Sequence, residues 1–304
     1  MLLLLLLALS GALATAQVHD VHYQGNLTPL NTTPTFDHGY LVVYDWDHRV
    51  DVFAPDGTLM YSVPAKVPGA DWAMIENGAV DSDGTMAAAV RGVSEAGRAG
   101  GGGIALFDRT GTQIRFLDTG GYLPTQVAFG PDHSIWTIGW LPASLTADYP
   151  TLRNYAQEGR ELGEFLSRAS FPYAKDLEVG EPLILPMLGG WELRVANERV
   201  ELILHRAHLW VRTDLNGQEK GRWNTNPNVP NGRRPDAITQ DGNAWYTDWH
   251  YLRVFDRSHG VWRVVPFDPP KGNLLGADGN SLVFLLLGQN TLRWMPAPGG
   301  SPAP

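Results

Sequence analysis

From residue 234 to residue 265 the chain alternates short apolar runs with tight polar turns. Asp236–Thr239 and Ala244–Asp248 flank Gln240-Asp241-Gly242-Asn243, and Tyr251–Asp256 and Val261–Val265 flank Arg257–Gly260. The runs are rich in β-branched and aromatic residues, which suit a half-buried pleated surface. Nothing in the stretch has helical spacing. Asp-Gly and His-Gly supply the positive φ that hairpin turns need. Four antiparallel strands cannot bury their own faces, so the unit has to recur.

It recurs along most of the chain. Copy one takes Leu41–Tyr44, Val50–Phe53 and Thr58–Val63, after a polar, turn-rich stretch Asn26–Thr35. Copy two takes Met74–Val80, Thr85–Val90, Ile104–Phe107 and Thr112–Leu117, with Gly92–Gly103 read as a loop. Copy three takes Thr125–Phe129, Ser134–Ile138, Asn154–Gln157 and Glu161–Ser167, with an insertion at Leu141–Leu152. Leu152–Phe171 also has the Glu, Arg and Leu content of a helix, and the phase of the repeat decides for a hairpin. Copy four, the most degenerate, takes Glu192–Val195, Val200–Leu204, Leu209–Thr213 and Gln218–Trp223. Copy six has three strands, Leu274–Gly276, Ser281–Leu287 and Thr291–Met295. Glycines of the outer turns, Gly57, Gly111, Gly159, Gly217 and Gly260, recur at intervals of 43 to 58 residues. Such spacing fits four-stranded propeller blades with loop insertions. The fold class is therefore all-β, a β-propeller of six four-stranded blades. Val18–Tyr23 is expected to supply the fourth strand of the last blade and so remove two sheet edges. A seventh blade would have to be hidden in Asn26–Thr35 and the insertion near Tyr149.

Composition narrows the partners. The 304 residues carry a formal net charge of −9 and no run of Lys or Arg, which disfavours nucleic acid and anionic membranes. With no cysteine, disulfides, thiolate metal sites and cysteine nucleophiles are excluded. An apolar run from Leu2 to Leu13, followed by Ala14-Thr15-Ala16, has the form of an export signal, although no Lys or Arg precedes it. The expected organisation is a signal peptide over 1–16, a propeller over 17–295 and a Pro/Gly-rich disordered tail over 296–304. A secreted or periplasmic monomer follows, with no membrane insertion.

Two segments, PTQVAFGPDHSIWTIGW (124–140) and PDAITQDGNAWYTDW (235–249), resemble the repeats of NHL-type, streptogramin lyase-like and gluconolactonase-like propellers. The resemblance covers copies two, three, five and six well, and copies one and four poorly. It implies the blade and leaves the activity open, because these families differ in their sites. Gluconolactonase-like propellers hold a divalent metal at the channel mouth with Glu, Asn and Asp. The positions in comparable places here are Asp71, Gln126, Asp236 and Asn273, candidates for Ca²⁺ or Mg²⁺, against a reading as solvated channel residues. Streptogramin lyases use His and Glu around a metal. His133 and His250 stand near suitable places, with no matching Glu.

Aromatic residues offer a second pattern. Trp140 and Trp249 each follow an inner-turn Asp by eight residues, and Trp46 takes what looks like the same place in copy one. Exits of the second strands share one face of a propeller, so these rings could stack on a ligand or wedge between blades. Arg233, Arg234 and Asp236 would rim the same mouth. Cleavage after Ala16 would leave Gln17-Val18-His19, whose amine, amides and imidazole have the spacing of a square-planar Cu²⁺ site. No H-E-x-x-H and no G-x-S-x-G is present. The expectation is a module binding a small molecule, glycan or protein. The alternative is a metal-dependent hydrolase or lyase of small lactone-like molecules, with its site at the central channel.

Overall fold

The computed structural model describes residues 18–24, 34–44, 49–94, 99–142, 148–171, 191–196, 198–204, 208–225, 235–248, 250–286 and 288–299. Strand β1 is His19–His22. Blade one holds β2 (Thr35–Asp37), β3 (Tyr40–Tyr44), β4 (Arg49–Phe53) and β5 (Leu59–Pro64). Blade two holds β6 (Trp72–Val80), β7 (Met86–Val93), β8 (Ala99–Phe107) and β9 (Gln113–Asp118). Blade three holds β10 (Leu123–Phe129), β11 (Ile135–Trp140), β12 (Pro150–Tyr155) and β13 (Glu161–Ser167). Blade four holds β14 (Trp191–Ala196), β15 (Arg199–Leu204), β16 (Leu209–Asp214) and β17 (Glu219–Asn224). Blade five holds β18 (Ala237–Ile238), β19 (Ala244–Thr247), β20 (Leu252–Asp256) and β21 (Val261–Val265). Blade six holds β22 (Gly272–Asp278), β23 (Ser281–Leu286) and β24 (Thr291–Pro296), and β1 pairs with β24 to complete it. The described strands thus form six four-stranded antiparallel sheets, a six-bladed propeller closed by its own N-terminal strand.

Burial follows position within the blade. Every residue of β11 is buried, whereas β13 at the outer edge is half-buried or exposed throughout. A second strand is covered on both faces by neighbouring blades, so its apolar residues run continuously instead of alternating. Each junction has its own apolar cluster. Val42 and Val52 meet Met86 and Val90 between blades one and two. Leu106 meets Val127 and Phe129 between two and three, and Trp136 meets Leu202 and Val211 between three and four. Trp210 meets Tyr246 and Trp262 between four and five, and Trp245 meets Phe284 between five and six. Tyr23, Val283 and Trp294 meet Leu41 and Phe53 where the ring closes.

Three expectations change. Residue 35, assigned to a polar turn, opens β2, the innermost strand of blade one. Its three residues are too few to show an alternation. Residues 100–103 lie within β8, and not in a loop. Their glycines let neighbours lie directly on the strand, since a Cβ on Gly102 would sit 2.6 Å from Leu123 Cδ2 and one on Gly103 2.7 Å from the Phe116 ring. The insertion after β11 ends at Tyr149, because Pro150–Leu152 already belong to β12. At the C-terminal end, β24 includes Pro296, and the Ala297 N–H donates to the Asn280 carbonyl at 2.9 Å.

Polar contacts tie adjacent blades along their innermost strands and at their inner turns. Asn77 is buried on β6. Its amide donates to Thr35 Oγ1 of blade one at 3.1 Å, and its carbonyl accepts from the Val127 N–H of blade three at 2.9 Å. His133 of blade three meets the Asp81 carboxylate of blade two at 2.7 Å. His38 of blade one bonds the Val80 carbonyl of blade two at 3.0 Å and stands 3.2 Å from Asp37.

Two outcomes test this closure. A chain starting at Gln24 lacks β1 and the fully buried Tyr23, and bares the edge of β24. It is expected to aggregate or to lose at least about 3 kcal/mol of stability. An unchanged urea midpoint would contradict the role of β1. The second concerns His38. The hydrogen bond with Asp37, opposed by burial, raises its pKa from 6.5 to about 9. A raised pKa means that the folded state binds the proton more tightly. The His38 contribution is therefore full below pH 6.5 and is lost as pH rises through about 9. His38→Asn, which tolerates the φ of 47°, should flatten the fall in urea midpoint across that window.

Candidate functional site at the channel mouth

The register puts the start of each innermost strand beside the end of the second. Trp72 pairs with Val93, Leu123 with Trp140, and Gly272 with Leu286. These ends share one face of the ring, and the inner and outer turns share the opposite one. Blades one and four are diametrically opposed in a ring of six, so their side chains can approach only through the central channel. Tyr44 at the end of β3 does approach Glu192 on β14, closely enough for that carboxylate to raise the phenol pKa. Burial raises it first, the hydrogen bond with Asn77 opposes, and Glu76 adds to the rise.

Glu76 stands where the β6–β7 register slips, between Ile75 and Asn77. A bulge re-aims the side chain it carries. The Glu76 carboxylate pairs with Arg91 Nη2 at 3.0 Å. Burial raises its pKa, and the Arg91 charge opposes the shift. Across the channel, Glu192 pairs with Arg194. Arg194 Nη2 continues to the carbonyls of Asp236 in blade five, at 2.8 Å, and Leu275 in blade six, at 3.5 Å. The mouth thus gathers a phenol, two carboxylates and two guanidinium groups from blades one, two and four. In both ion pairs the side chains are 20 to 30% exposed, so they are accessible yet held.

Of the residues singled out from the sequence, Trp46, Trp249, Arg233 and Arg234 lie outside the described residues. Trp140 is 7% exposed and packs with Leu123, Tyr149 and Leu141. Asp236 accepts the Thr247 N–H on Oδ2 at 3.1 Å, and its own N–H donates to the Trp245 carbonyl at 2.7 Å, so it braces the start of blade five. Asp71 is exposed, with its N–H on the Val93 carbonyl. Gln126 and Asn273 are half-buried on β10 and β22. Among the described residues, no three His, Asp or Glu side chains converge in a way that would hold a metal ion. His133 sits at an inner turn, on the face away from the mouth, and His250 lies edge-on to Tyr251. His19 stacks on Trp294 at 4.7 Å, while Gln17, needed for the copper arrangement, lies outside the described residues.

Sequence reasoning missed Tyr44, Glu76, Glu192 and Arg194. A signal was present: Glu76 and Glu192 interrupt the apolar strands WAMIENGAV and WELRVA. An acidic residue in an innermost strand is costly to bury and so points to the channel.

No family model matches the chain, and no curated protein matches it. Similar solved structures include virginiamycin B lyase from Staphylococcus aureus, at 14% identity, covering 91% of this chain and 98% of that one, with a TM-score of 0.45. A protein of unknown function from Bacteroides thetaiotaomicron is similar at 12% identity, covering 91% of this chain and 74% of that one, with a TM-score of 0.49. Another, from Bacteroides caccae, stands at 13% identity, 77% and 81% coverage and a TM-score of 0.44. No functional argument follows from likeness at this level. The resemblance to six-bladed propellers holds for the fold, which the sheet order carries.

Proposed function

We propose that this protein is an exported binding module, holding a small hydroxyl-rich ligand such as a sugar or glycan end at the channel mouth. One observation carries the reading: two carboxylate–guanidinium pairs and Tyr44 converge there from opposite sides of the ring. Each pair largely cancels its own charge while leaving donors and acceptors side by side. A hydroxyl both donates and accepts, so a sugar can use the two kinds of group together. The export signal read at 1–16 supports an extracytoplasmic setting. Trp46, Trp249, Arg233 and Arg234 belong to the reading as rim contributors. Their chain positions follow β3 and β19, or precede β18.

One observation favours a hydrolase or lyase at the same mouth. A carboxyl such as Glu76, held toward its protonated form, can act in proton transfer. Incubation with lactones and divalent metal separates the two readings. Turnover by the wild type that Glu76→Gln abolishes would establish the enzyme.

For the binding reading, calorimetry against a panel of mono- and oligosaccharides is expected to find a saturable ligand. Arg91→Ala should weaken it by about 1.5–3 kcal/mol. Trp140→Ala should instead lower stability by about 3–5 kcal/mol and leave affinity in place. A panel with no saturable member, or an affinity indifferent to Arg91, would reject the site.

A further inference from the structure

On the face away from the mouth, three guanidinium groups gather where blades four and five meet. Arg199 opens β15 and sends Nη2 to the Gln240 carbonyl at 2.6 Å. Arg212 on β16 sends Nη2 to the Gly242 carbonyl at 3.1 Å. The two heads lie side by side over Gly242. A Cβ built there would stand 2.5 Å from Arg199 Nη1, 3.0 Å from Arg212 Nη2 and 3.3 Å from Arg212 Nη1. Arg257, in the outer turn of blade five, lies within Coulombic reach of both.

The nearby acids are already engaged. Glu201 gives Oε1 to Arg212 Nε at 2.7 Å and Oε2 to the Trp210 indole N–H at 2.7 Å. Asp241 accepts from the Thr239 hydroxyl and the Asn243 N–H on Oδ1, and from the Asn243 amide on Oδ2. Three cations therefore face two committed carboxylates, in a chain whose formal net charge is −9. Arg199 Nε is buried without a hydrogen-bond acceptor, 3.9 Å from the Glu201 Oε1 that Arg212 already holds, and Arg257 feels the charges of Glu201 and Asp241 as well as that of Arg212. Like charges gathered with unfilled donors raise the free energy of the empty corner, and an oxyanion relieves both costs. The Arg212 side chain is only 9% exposed, so one wall of the corner is fixed, while Arg199 and the half-buried Arg257 keep it open to solvent.

We propose that Arg199, Arg212 and Arg257 form a binding site for a small oxyanion, a phosphate or a carboxylate group, at the junction of blades four and five. The site is independent of the channel mouth. Bound there, the anion would also clamp the two blades.

The test is calorimetry of the full chain with inorganic phosphate, and separately with acetate, at constant ionic strength set by NaCl. Saturable binding of either anion is expected, and the arm that responds identifies the group. Arg257→Gln and, as a second variant, Arg199→Gln should each weaken it about tenfold. Arg160→Gln, in the outer turn of blade three, should leave it unchanged. Circular dichroism establishes that each variant is folded. No saturable heat with either anion, or affinity that survives both arginine substitutions, would overturn the site whatever happens at the mouth.

Discussion

The structure depends on closing a ring. No blade can bury both of its faces alone, and each of the six junctions is sealed by side chains from two blades. An open ring would expose the apolar faces on either side of the gap, so the last junction protects all the others. That junction is built from both ends of the chain. Tyr23 is fully buried against Phe53, Asp20 pairs with Arg293 at 2.6 Å, and the Gln24 N–H donates to the Gly57 carbonyl of blade one. The N-terminal strand therefore fastens blade six internally and then reaches the next blade.

Much of the acidic content is used in turns. Asp56, Asp108, Asp214 and Asp256 each accept backbone N–H groups two or more residues on, closing the outer turns. Hydrogen bonds hold their carboxyls below the usual range, chiefly the Thr58 N–H for Asp56 and the side chains of Thr110, Lys220 and Ser258 for Asp108, Asp214 and Asp256, with the backbone N–H groups adding to the effect. Each such Asp replaces a backbone partner that the turn cannot supply. Repetition of Asp is thus a property of the blade. Glycine at the same turns has a packing role as well. At Gly217, with φ of 72°, any Cβ would run into the Phe165 ring of the preceding blade.

Charge inside the fold is treated in two ways. Glu201 is 2% exposed and fully bonded to Arg212 and Trp210, as a buried charge must be. The pairs at the mouth keep 20 to 30% of their side-chain surface in water, which preserves their capacity to exchange partners with a ligand. The innermost strands supply a rigid base for them. A register slip at Glu76 orients one carboxylate, and Asn77 beside it joins three blades. Sites on such strands keep their geometry better than sites on loops.

What the sequence determined by itself was the blade and its repetition. Hairpin turns such as Asp241-Gly242 depend on residues next to one another, and strand periodicity is a local property. Recurrence of the unit then implied a propeller, and the one missing strand implied the closure that β1 performs. The brevity of β2 hid that strand, and the glycines of β8 hid its first half, because their identity rests on the neighbours packed against them. The site was less legible for the same reason. Tyr44 and Glu192 come from opposite blades, and the three arginines from two blades. No local pattern records that they meet. Ring closure alone brings them together, since it is a long-range packing constraint that decides which strand ends face one another across the channel.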